Sequence, residues 1–103
     1  MLYVALGRNV GDAPMDDVTW AMFVADVVET VRLSERVGQP DTRAFGTSSF
    51  EGVEEETCVL VWFDKNTMHQ GTEDALGGMA KFYGQNSIAY SLSETFFTEG
   101  VDN

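Results

Sequence analysis

A run of seven uncharged residues, Thr57 to Phe63, constrains the fold of this chain more than any other feature. Its sequence, Thr-Cys-Val-Leu-Val-Trp-Phe, is rich in β-branched and aromatic residues and follows an acidic segment typical of a turn, Glu51 to Glu56, so it predicts a β-strand. Alternate side chains of a strand point to opposite faces, and both sets are apolar here, ending with Trp62 and Phe63. A strand with one solvated face would not tolerate this pattern, so we expect a central strand with both faces buried.

The part of the chain before this strand predicts a strand, a loop and a helix. Leu2 to Leu6 is short and mostly apolar, and it is followed by a segment rich in turn-forming residues that ends at Pro14. Asp16 is the expected N-cap of the helix, which we expect to end at Gly38 and Pro40. Apolar residues recur in it at the 3.6-residue period and form one buried stripe: Trp20, Phe23, Val24, Val27, Val28 and Val31.

Three further elements are predicted around the central strand. Thr42 to Phe50 alternates loosely and is rich in Thr, Ser and Phe, as expected for a more exposed strand that pairs with the central one through the acidic turn. Thr72 is the expected N-cap of a second helix. Gly77 and Gly78 within that helix are each unfavourable by ~1 kcal/mol relative to Ala, which indicates either close packing against the sheet or a fragile helix. A last strand follows, in which apolar residues alternate: Ile88, Tyr90 and Leu92.

The predicted elements follow the order strand, helix, strand, strand, helix, strand. This is the order of a ferredoxin-like α+β fold, βαββαβ, in which two helices pack on one face of an antiparallel sheet. The first and third strands are central in that topology, in agreement with the two most apolar strands. At 103 residues the chain is expected to form a single domain, 1–103, in which residues 93–103 extend the last strand or form a C-terminal arm.

The chain is strongly acidic, with 17 Asp and Glu against 6 Lys and Arg and a formal net charge of -11. Direct binding to nucleic acid or to an anionic membrane needs Lys and Arg, so neither is expected, and the natural charged partner is a basic protein. The alternative is that the acidic residues serve solubility alone. The single cysteine, Cys58, makes no internal disulfide, and the N-terminus lacks the pattern of a signal peptide, so a cytoplasmic location is expected.

Two segments of the chain resemble known proteins. Residues 3–11, Tyr-Val-Ala-Leu-Gly-Arg-Asn-Val-Gly, leading to Trp20 and Phe23, and residues 82–89, Phe-Tyr-Gly-Gln-Asn-Ser-Ile-Ala, resemble small uncharacterised proteins encoded by actinobacterial phages. More distantly, the chain resembles a bacterial family of unknown function with the same Gly-Arg start, Trp-to-Phe helix and aromatic-Gly-Gln helix end. The resemblance implies a phage or bacterial origin and the same fold. It transfers no catalytic residue, but a phage origin raises the expectation of an inhibitor directed at a host protein.

Residue types that carry enzymatic chemistry are few. The single histidine, His69, is expected in a polar loop and Cys58 in the core, so no pair of nucleophile and base is predicted. One His and one buried Cys do not make a zinc site, and the acidic segments lack the spacing of a calcium-binding EF-hand. Gly7 to Gly11 is too short for a phosphate-binding loop and has the wrong spacing. We therefore expect no catalytic residue, no metal and no cofactor, and a protein that is not an enzyme.

Arg8 is the residue with a specific ligand-binding alternative. It follows a central strand, where a guanidinium is suited to hold a carboxylate or phosphate, with Tyr3 or Tyr90 lining the same anion pocket. The opposing interpretation, which we favour, is that Arg8 pairs with Asp12, Asp16 or the C-terminal Glu residues.

Acidic residues form the candidate partner-binding surface. The primary set is expected at or near one end of the central hairpin and consists of Glu51, Glu54, Glu55, Glu56 and Asp64. The secondary set is expected near the start of the first helix and consists of Asp12, Asp16 and Asp17. Carboxylates spaced along a hairpin can imitate the phosphates of duplex DNA, which are spaced ~3.4 Å apart along the helix axis on each strand. The leading hypothesis is a phage-encoded, non-enzymatic inhibitor that occupies a basic nucleic-acid-binding surface of a host or defence protein.

The second hypothesis is a self-assembling protein that binds or sequesters a small anion or nucleotide. Ferredoxin-like sheets leave an edge at the second or fourth strand that can pair between subunits. Phe96 and Phe97 add an apolar segment near the C-terminus. A homodimer would form through the sheet edge or through the C-terminal arm.

Overall fold

The computed structural model describes residues 1–94, so residues 95–103 of the predicted C-terminal arm, with Phe96 and Phe97, lie outside the described part. The described part contains two helices and six strands, which confirms the α+β class. In chain order they are β1 (Leu2–Gly7), β2 (Asn9–Val10), β3 (Ala13–Pro14), α1 (Asp17–Glu35), β4 (Thr42–Phe50), β5 (Val53–Trp62), α2 (Gln70–Phe82) and β6 (Ala89–Leu92).

The four longer strands form one antiparallel sheet in the order β4-β5-β1-β6. β5 and β1 are therefore the central strands, as the sequence predicts, and Val4 pairs with Leu60 in the middle of their contact. β4 pairs with β5 along its whole length, so these two strands form a long hairpin. The predicted ferredoxin-like arrangement is confirmed.

The hydrophobic core lies between the helices and one face of this sheet. Six buried side chains of the two central strands belong to it: Leu2, Val4, Leu6, Cys58, Leu60 and Trp62. Every residue of the predicted α1 stripe is also buried. The ring centroid of Phe23 in α1 lies 4.7 Å from that of Tyr83 after α2, which places both helices on the same face. Burial raises the pKa of the Cys58 thiol, so Cys58 behaves as the buried apolar residue that the sequence predicts.

The start of the central strand differs from its predicted bounds. β5 begins at Val53, because the turn of the hairpin consists of Glu51 and Gly52 alone. Both have positive φ, 51° and 81°, which is the geometry of a two-residue hairpin turn. The predicted turn from Glu51 to Glu56 is thus correct only for Glu51 and Gly52, and Val53 to Glu56 lie in the strand.

The end of the central strand also differs. β5 ends at Trp62, which is buried as predicted and donates from Nε1 to the Gly38 carbonyl at 3.0 Å. The predicted burial of Phe63 is wrong, since its side chain is 50% exposed. The reason is that the chain leaves the sheet here, where the Phe63 backbone N–H donates to Asp41 Oδ2 at 2.8 Å instead of to a neighbouring strand.

The first helix begins where the sequence predicts and ends earlier. Asp16 is the N-cap, and its carboxylate accepts a hydrogen bond from the Thr19 backbone N–H at 2.7 Å. The helix ends at Glu35, because Arg36 adopts the left-handed conformation with φ 55°. The predicted end at Gly38 is therefore two to three residues too late, since the C-cap is not a glycine.

The second helix begins earlier than predicted. His69 is its N-cap, so the assignment of Thr72 as N-cap is wrong: Thr72 is buried in the first turn, where its hydroxyl donates to Glu35. A Cβ added at Gly77 or Gly78 would meet nothing within 4 Å, so neither glycine is explained by close packing. Within residues 1–94, neither helix is long and apolar enough to cross a membrane.

Candidate functional site

Three segments converge at one end of the molecule: the tip of the β4–β5 hairpin, the small β2–β3 arm and the first turn of α1. Asn9 of the arm joins the hairpin, since its backbone N–H donates to Glu55 Oε2 at 2.8 Å and its side-chain amide to the Glu54 carbonyl at 3.1 Å. We call this region the acidic end and define it by its carboxylates: Asp12, Asp16, Asp17, Glu51, Glu54, Glu55 and Glu56. The two acidic sets that the sequence separates, Asp64 excepted, thus meet in one region.

Arg8 is the one cation of the acidic end among the described residues. Its Nη2 donates to Asp17 Oδ1 at 2.6 Å, and its Nη1 donates to Glu56 Oε2 at 2.7 Å. Its Nε donates to the Met15 carbonyl at 2.7 Å. The hydrogen bonds that Arg8 donates, to Asp17 first and then to Glu56, raise the pKa of the guanidinium, and the side chain is only 13% exposed. Arg8 therefore joins the hairpin to α1, and an anion at this position would have to displace two carboxylates.

The expected partners of Arg8 differ from those found. Pairing with carboxylates is observed, but through Asp17 and Glu56 rather than through Asp12 or Asp16. Asp16 is instead occupied as the N-cap of α1, and the hydrogen bond from the Thr19 backbone lowers the pKa of its carboxyl.

The hairpin presents its carboxylates on both faces. Alternate residues of β5 point to opposite sides, so Glu54 and Glu56 lie on the face of the sheet that carries the helices. Glu55 lies on the opposite face, which the two helices do not cover and which we call the open face. Neighbours on one face of a strand are roughly 6.8 Å apart, about twice the axial spacing of phosphates along one DNA strand. The Glu55 carboxylate lies over Gly7, where an added Cβ would meet it at 2.6 Å and displace it.

Glu51 occupies a strained position at the hairpin tip. Its φ of 51° is in the left-handed region, which costs a non-glycine residue roughly 1–2 kcal/mol. Two-residue turns of this kind favour Asn, Asp or Gly at that position. The tip therefore carries a long carboxylate side chain where a smaller residue would be less strained.

A shallow groove of about 350 Å³ lies between the hairpin tip and the β2–β3 arm. Three carboxylates line it, from Asp12, Glu51 and Glu55, together with the ring of Phe50, which is 77% exposed. No Lys or Arg is among its lining residues in the described part of the chain. Carboxylates beside an exposed aromatic ring suit a cationic group, such as a Lys or Arg side chain of a partner.

The carboxylates of the acidic end differ in their availability. Asp16, Asp17, Glu55 and Glu56 accept hydrogen bonds from the backbone or from Arg8. The side chains of the other three accept none within residues 1–94: Asp12, Glu51 and Glu54. These three are the solvated acids that a partner can contact without breaking the fold.

Asp64 does not join this region. It follows the end of β5 at Trp62, whereas the acidic residues of the hairpin lie at the start of that strand. A strand of this length separates the two positions by roughly 30 Å. The prediction that Asp64 shares one surface with Glu51 and Glu54–Glu56 is therefore wrong.

A second carboxylate site, absent from the sequence predictions, lies at the other end of α1. Glu35 is 5% exposed, and its Oε1 lies 2.7 Å from Lys65 Nζ. Its Oε2 accepts hydrogen bonds from the Thr72 hydroxyl and from the His69 backbone N–H, the latter at 3.0 Å. Burial alone would raise the pKa of Glu35, but the bonds from Lys65, Thr72 and His69 outweigh it and lower the pKa to about 2. We call these four residues the Glu35 cluster.

The spacing of α1 contains a signal for this cluster. Glu35 falls four residues after Val31, so it continues the buried stripe of the helix. A charged residue at a core position requires a buried partner. The sequence does not show which partners supply it, because these lie 30 to 37 residues later, in the segment after β5 and in the first turn of α2.

His69 is part of the Glu35 cluster rather than a free loop residue. Its imidazole is 71% exposed, yet Nδ1 lies 3.0 Å from Glu35 Oε2. A carboxylate that orients an imidazole is a feature of catalytic triads, which also need a nucleophile on the other ring nitrogen. Within residues 1–94 no hydroxyl or thiol hydrogen-bonds the ring of His69 other than through Glu35. No group of three or more His, Cys, Asp or Glu side chains in the same range could hold a metal ion.

Comparison with known proteins identifies no family for this chain. No family model matches the sequence, and no curated protein matches it. Among solved structures, the chain is similar to a phage SAM lyase in its apo state, with 16% sequence identity and a TM-score of 0.49 over 93% of this chain and 90% of that chain. A likeness at this level transfers neither an activity nor a site.

Proposed function

We propose that this protein is a non-enzymatic interaction protein that binds a basic surface of another protein through its acidic end. The observation that carries the proposal is the convergence of seven carboxylates from three segments around a single arginine, Arg8, which is itself already paired. Such a region carries a large uncompensated negative charge, and charge of this kind accelerates association with a positive surface and orients it.

Two details of the geometry favour a binding role over simple solubility. Solubility requires only that charge be spread over the surface, whereas here the charge is concentrated beside an exposed aromatic ring, Phe50. Glu51 also retains a carboxylate in a strained conformation. Strain of this kind persists where the surrounding structure enforces it, often at functional sites.

The proposed target is a nucleic-acid-binding surface. Glu54 and Glu56 follow one another along one face of a projecting hairpin, and Arg8 holds Asp17 beside Glu56. We infer a row of three carboxylates, in which Glu54 is free and the other two are paired with Arg8. A groove that binds phosphates through Lys and Arg accepts such a row by the same contacts. In a phage-encoded protein, the target would be a host or defence protein in the host cytoplasm, and the outcome would be inhibition.

The test is affinity capture from a bacterial lysate with the tagged protein at low and raised salt. We expect a basic nucleic-acid-binding protein to be retained at low salt, released as the salt is raised, and displaced by added duplex DNA. A retained partner that is insensitive both to salt and to DNA would contradict the proposal, as would a partner without a basic surface.

A second candidate function, self-association with binding of a small ligand, is favoured by the open face of the sheet. Where all four strands lie side by side, the described residues place no charged side chain on this face, in a chain of net charge -11. Its residues are Tyr3, Ala5, Thr42, Ala44, Val59, Val61, Ala89 and Ser91. β4 is in addition a long and exposed edge strand without Pro or Lys, the residues that commonly protect such edges.

Light scattering over a range of concentrations tests this second candidate, with Ala44→Glu as the variant that places a charge on the open face. A defined oligomer that the variant dissociates would support it, together with a rise in Tm on addition of nucleotides. A monomer at every concentration, with no ligand-induced stabilisation, would exclude it.

A further inference from the structure

The outer edge of β4 presents a long row of backbone groups to solvent. Within residues 1–94, β4 pairs only with β5, so its other side faces water along all nine residues. Native edge strands are commonly protected by Pro, by Lys, by a bulge or by a short length. β4 contains neither Pro nor Lys, and its register with β5 runs without a bulge from Thr42 to Phe50. The edge therefore lacks the usual protection against pairing with another strand.

Every second residue of β4 directs its backbone groups outward. The two-residue turn of the hairpin is closed by Phe50 and Val53, and a turn of this length closes on a pair that exchanges hydrogen bonds. Hydrogen-bonded and non-hydrogen-bonded pairs alternate along an antiparallel ladder, so the even-numbered residues of β4 bond to β5. The outward N–H and C=O groups belong to the odd-numbered residues, which are Arg43, Phe45, Thr47 and Ser49.

The charge of the edge favours a second copy of this chain as its partner. Arg43 is the only charged residue of β4, whereas the whole chain has a net charge of -11. The guanidinium of Arg43 makes no ion pair within the described residues. A second copy that approaches here meets a positive charge and no carboxylate on the strand itself, so this edge repels another copy less than the acidic end does.

The length of β4 specifies one register for two copies. Overlap of all nine residues about a two-fold axis places the axis at Gly46, the middle of the strand. Phe45 of one copy then lies opposite Thr47 of the second copy, and Arg43 lies opposite Ser49. Because these four residues are all odd-numbered, the outward backbone groups of the two copies meet and form a ladder.

The side chain of Phe45 agrees with this register. Phe45 pairs with the buried Cys58 and therefore lies on the helix face, yet it is 62% exposed because the helices do not cover the edge strand. Across the axis the two Phe45 residues become diagonal neighbours, roughly 7–8 Å apart and within reach of aromatic side chains. The contact removes from water an apolar surface that a single copy leaves exposed.

The side chain of Arg43 also gains a partner in this register. Within one copy, Ser49 pairs with Glu54 on the helix face, the face on which Arg43 lies. Arg43 of the second copy lies opposite Ser49, so its Cα is two strand spacings, roughly 10 Å, from that of Glu54. The small Ser49 side chain lets the guanidinium and the carboxylate meet above it, and the two-fold axis forms this pair twice.

We propose that the outer edge of β4 pairs with the same edge of a second copy, antiparallel about Gly46, to form a continuous sheet of twice four strands. The proposal rests on self-association, the second candidate function, and assigns the contact to the strand edge instead of the open face. The binding of a basic protein by the acidic end does not depend on it. Asp41 and Glu51 of the two copies meet just beyond each end of the ladder, and salt reduces their repulsion.

Sedimentation velocity over a range of protein concentrations, at about 0.15 M salt, measures the dimer. Thr47→Pro removes an outward N–H and keeps the hydrogen bonds between β4 and β5, since Pro is tolerated where the N–H of an edge strand faces solvent. We expect the wild type to dimerise and Thr47→Pro to be monomeric with an unchanged circular dichroism spectrum. The control is Ala5→Glu, which charges the open face two strands away from the edge and should leave the dimer intact.

An exchange of charges tests the register. Arg43→Glu places a carboxylate beside Glu54 of the second copy, so we expect the Kd of the dimer to rise at least about fivefold. Adding Glu54→Arg restores the opposite charges, and the Kd should return to within about twofold of the wild-type value. Both substitutions lie at the surface, so they report on the contact independently of how Thr47→Pro folds.

Three results would overturn the proposal in different ways. A wild type that is monomeric at every concentration would exclude the edge contact together with self-association. A dimer that Ala5→Glu dissociates and Thr47→Pro retains would exclude the edge and leave the open face as the interface of the second candidate function. A dimer that the double charge exchange does not restore would exclude the register about Gly46.

Discussion

The acidic end and the Glu35 cluster use the same functional group in opposite ways. At the acidic end, the one arginine pairs with two of the seven carboxylates, and three others have no hydrogen-bond partner within residues 1–94. In the Glu35 cluster, one buried carboxylate is held by a lysine, a hydroxyl and a histidine. The cluster ties the end of α1 to the start of α2, whereas the acidic end leaves its charge exposed to solvent.

The difference separates carboxylates that support the fold from carboxylates available to a partner. Ion pairs between exposed groups contribute little to stability, but breaking a buried pair leaves an uncompensated charge in the interior. Removing negative charge from the two regions should therefore change different properties of the protein. Substitutions in the Glu35 cluster should affect stability, and substitutions of the three available carboxylates, Asp12, Glu51 and Glu54, should affect binding.

The largest expected effect is that of Glu35→Gln. The substitution leaves Lys65 beside a neutral amide in a buried position, so we expect the free energy of unfolding to fall by about 3 kcal/mol, measured by urea denaturation. The matched control on the same helix is Glu29→Gln, which removes an exposed pair with Arg32 and should cost less than about 0.5 kcal/mol. Equal losses in the two variants would remove the distinction between the regions.

The contribution of the Glu35 cluster to the free energy of unfolding should depend on pH. Because the pKa of Glu35 in the folded protein is about 2, below its ordinary value of 4.5, its contribution is complete above pH 4.5 and is lost as the pH falls toward 2. The stability difference between the wild type and Glu35→Gln should therefore shrink over this interval in a series of urea titrations. A difference that stays constant from pH 6 to about pH 2 would show that the carboxylate charge is not what stabilises the contact.

A smaller change, in the direction of stabilisation, is expected at the hairpin tip. Glu51→Asn places a residue that tolerates positive φ in the turn, so we expect a gain of about 1 kcal/mol in the free energy of unfolding. Glu54→Gln removes the same charge from a regular strand position and should leave stability almost unchanged. If both variants gain equally, charge repulsion and not backbone strain is the cause.

The smallest effect on stability is expected from neutralising the available carboxylates together. The combination of Asp12→Asn, Glu51→Gln and Glu54→Gln should change the free energy of unfolding by less than about 0.5 kcal/mol, toward greater stability at low salt because repulsion decreases. Thermal unfolding at two salt concentrations measures it. A large loss would mean that the acidic end supports the fold after all.

The parts of the fold that follow from periodicity are predicted correctly. The α1 stripe from Trp20 to Val31 and the two central strands are set by apolar side chains at regular spacing, and a buried stripe leaves few alternatives for how a helix meets a sheet. The N-cap Asp16 is predicted for a similar reason, since its carboxylate acts on a backbone N–H three residues away.

The parts that depend on contacts between distant residues are not predicted. Arg8 meets Glu56 across 48 residues, and only the strand register brings them together. Phe63 is exposed because Asp41, 22 residues earlier, captures its backbone N–H. Thr72 is a residue type favoured at N-caps, but its hydroxyl donates a hydrogen bond to the buried carboxylate of Glu35 instead. In each case a tertiary contact overrides a local preference.

The most direct test of the central claim is the affinity of the acidic end for its captured basic partner. Binding should be measured by titration calorimetry for the wild type, for the variant with Asp12→Asn, Glu51→Gln and Glu54→Gln, and for a control with equal charge removed elsewhere. The control carries Asp64→Asn, Glu73→Gln and Glu94→Gln, three acids outside the acidic end. We predict that affinity falls at least about tenfold in the first variant and is retained in the control. Equal loss in both would show that net charge, not the acidic end, determines binding.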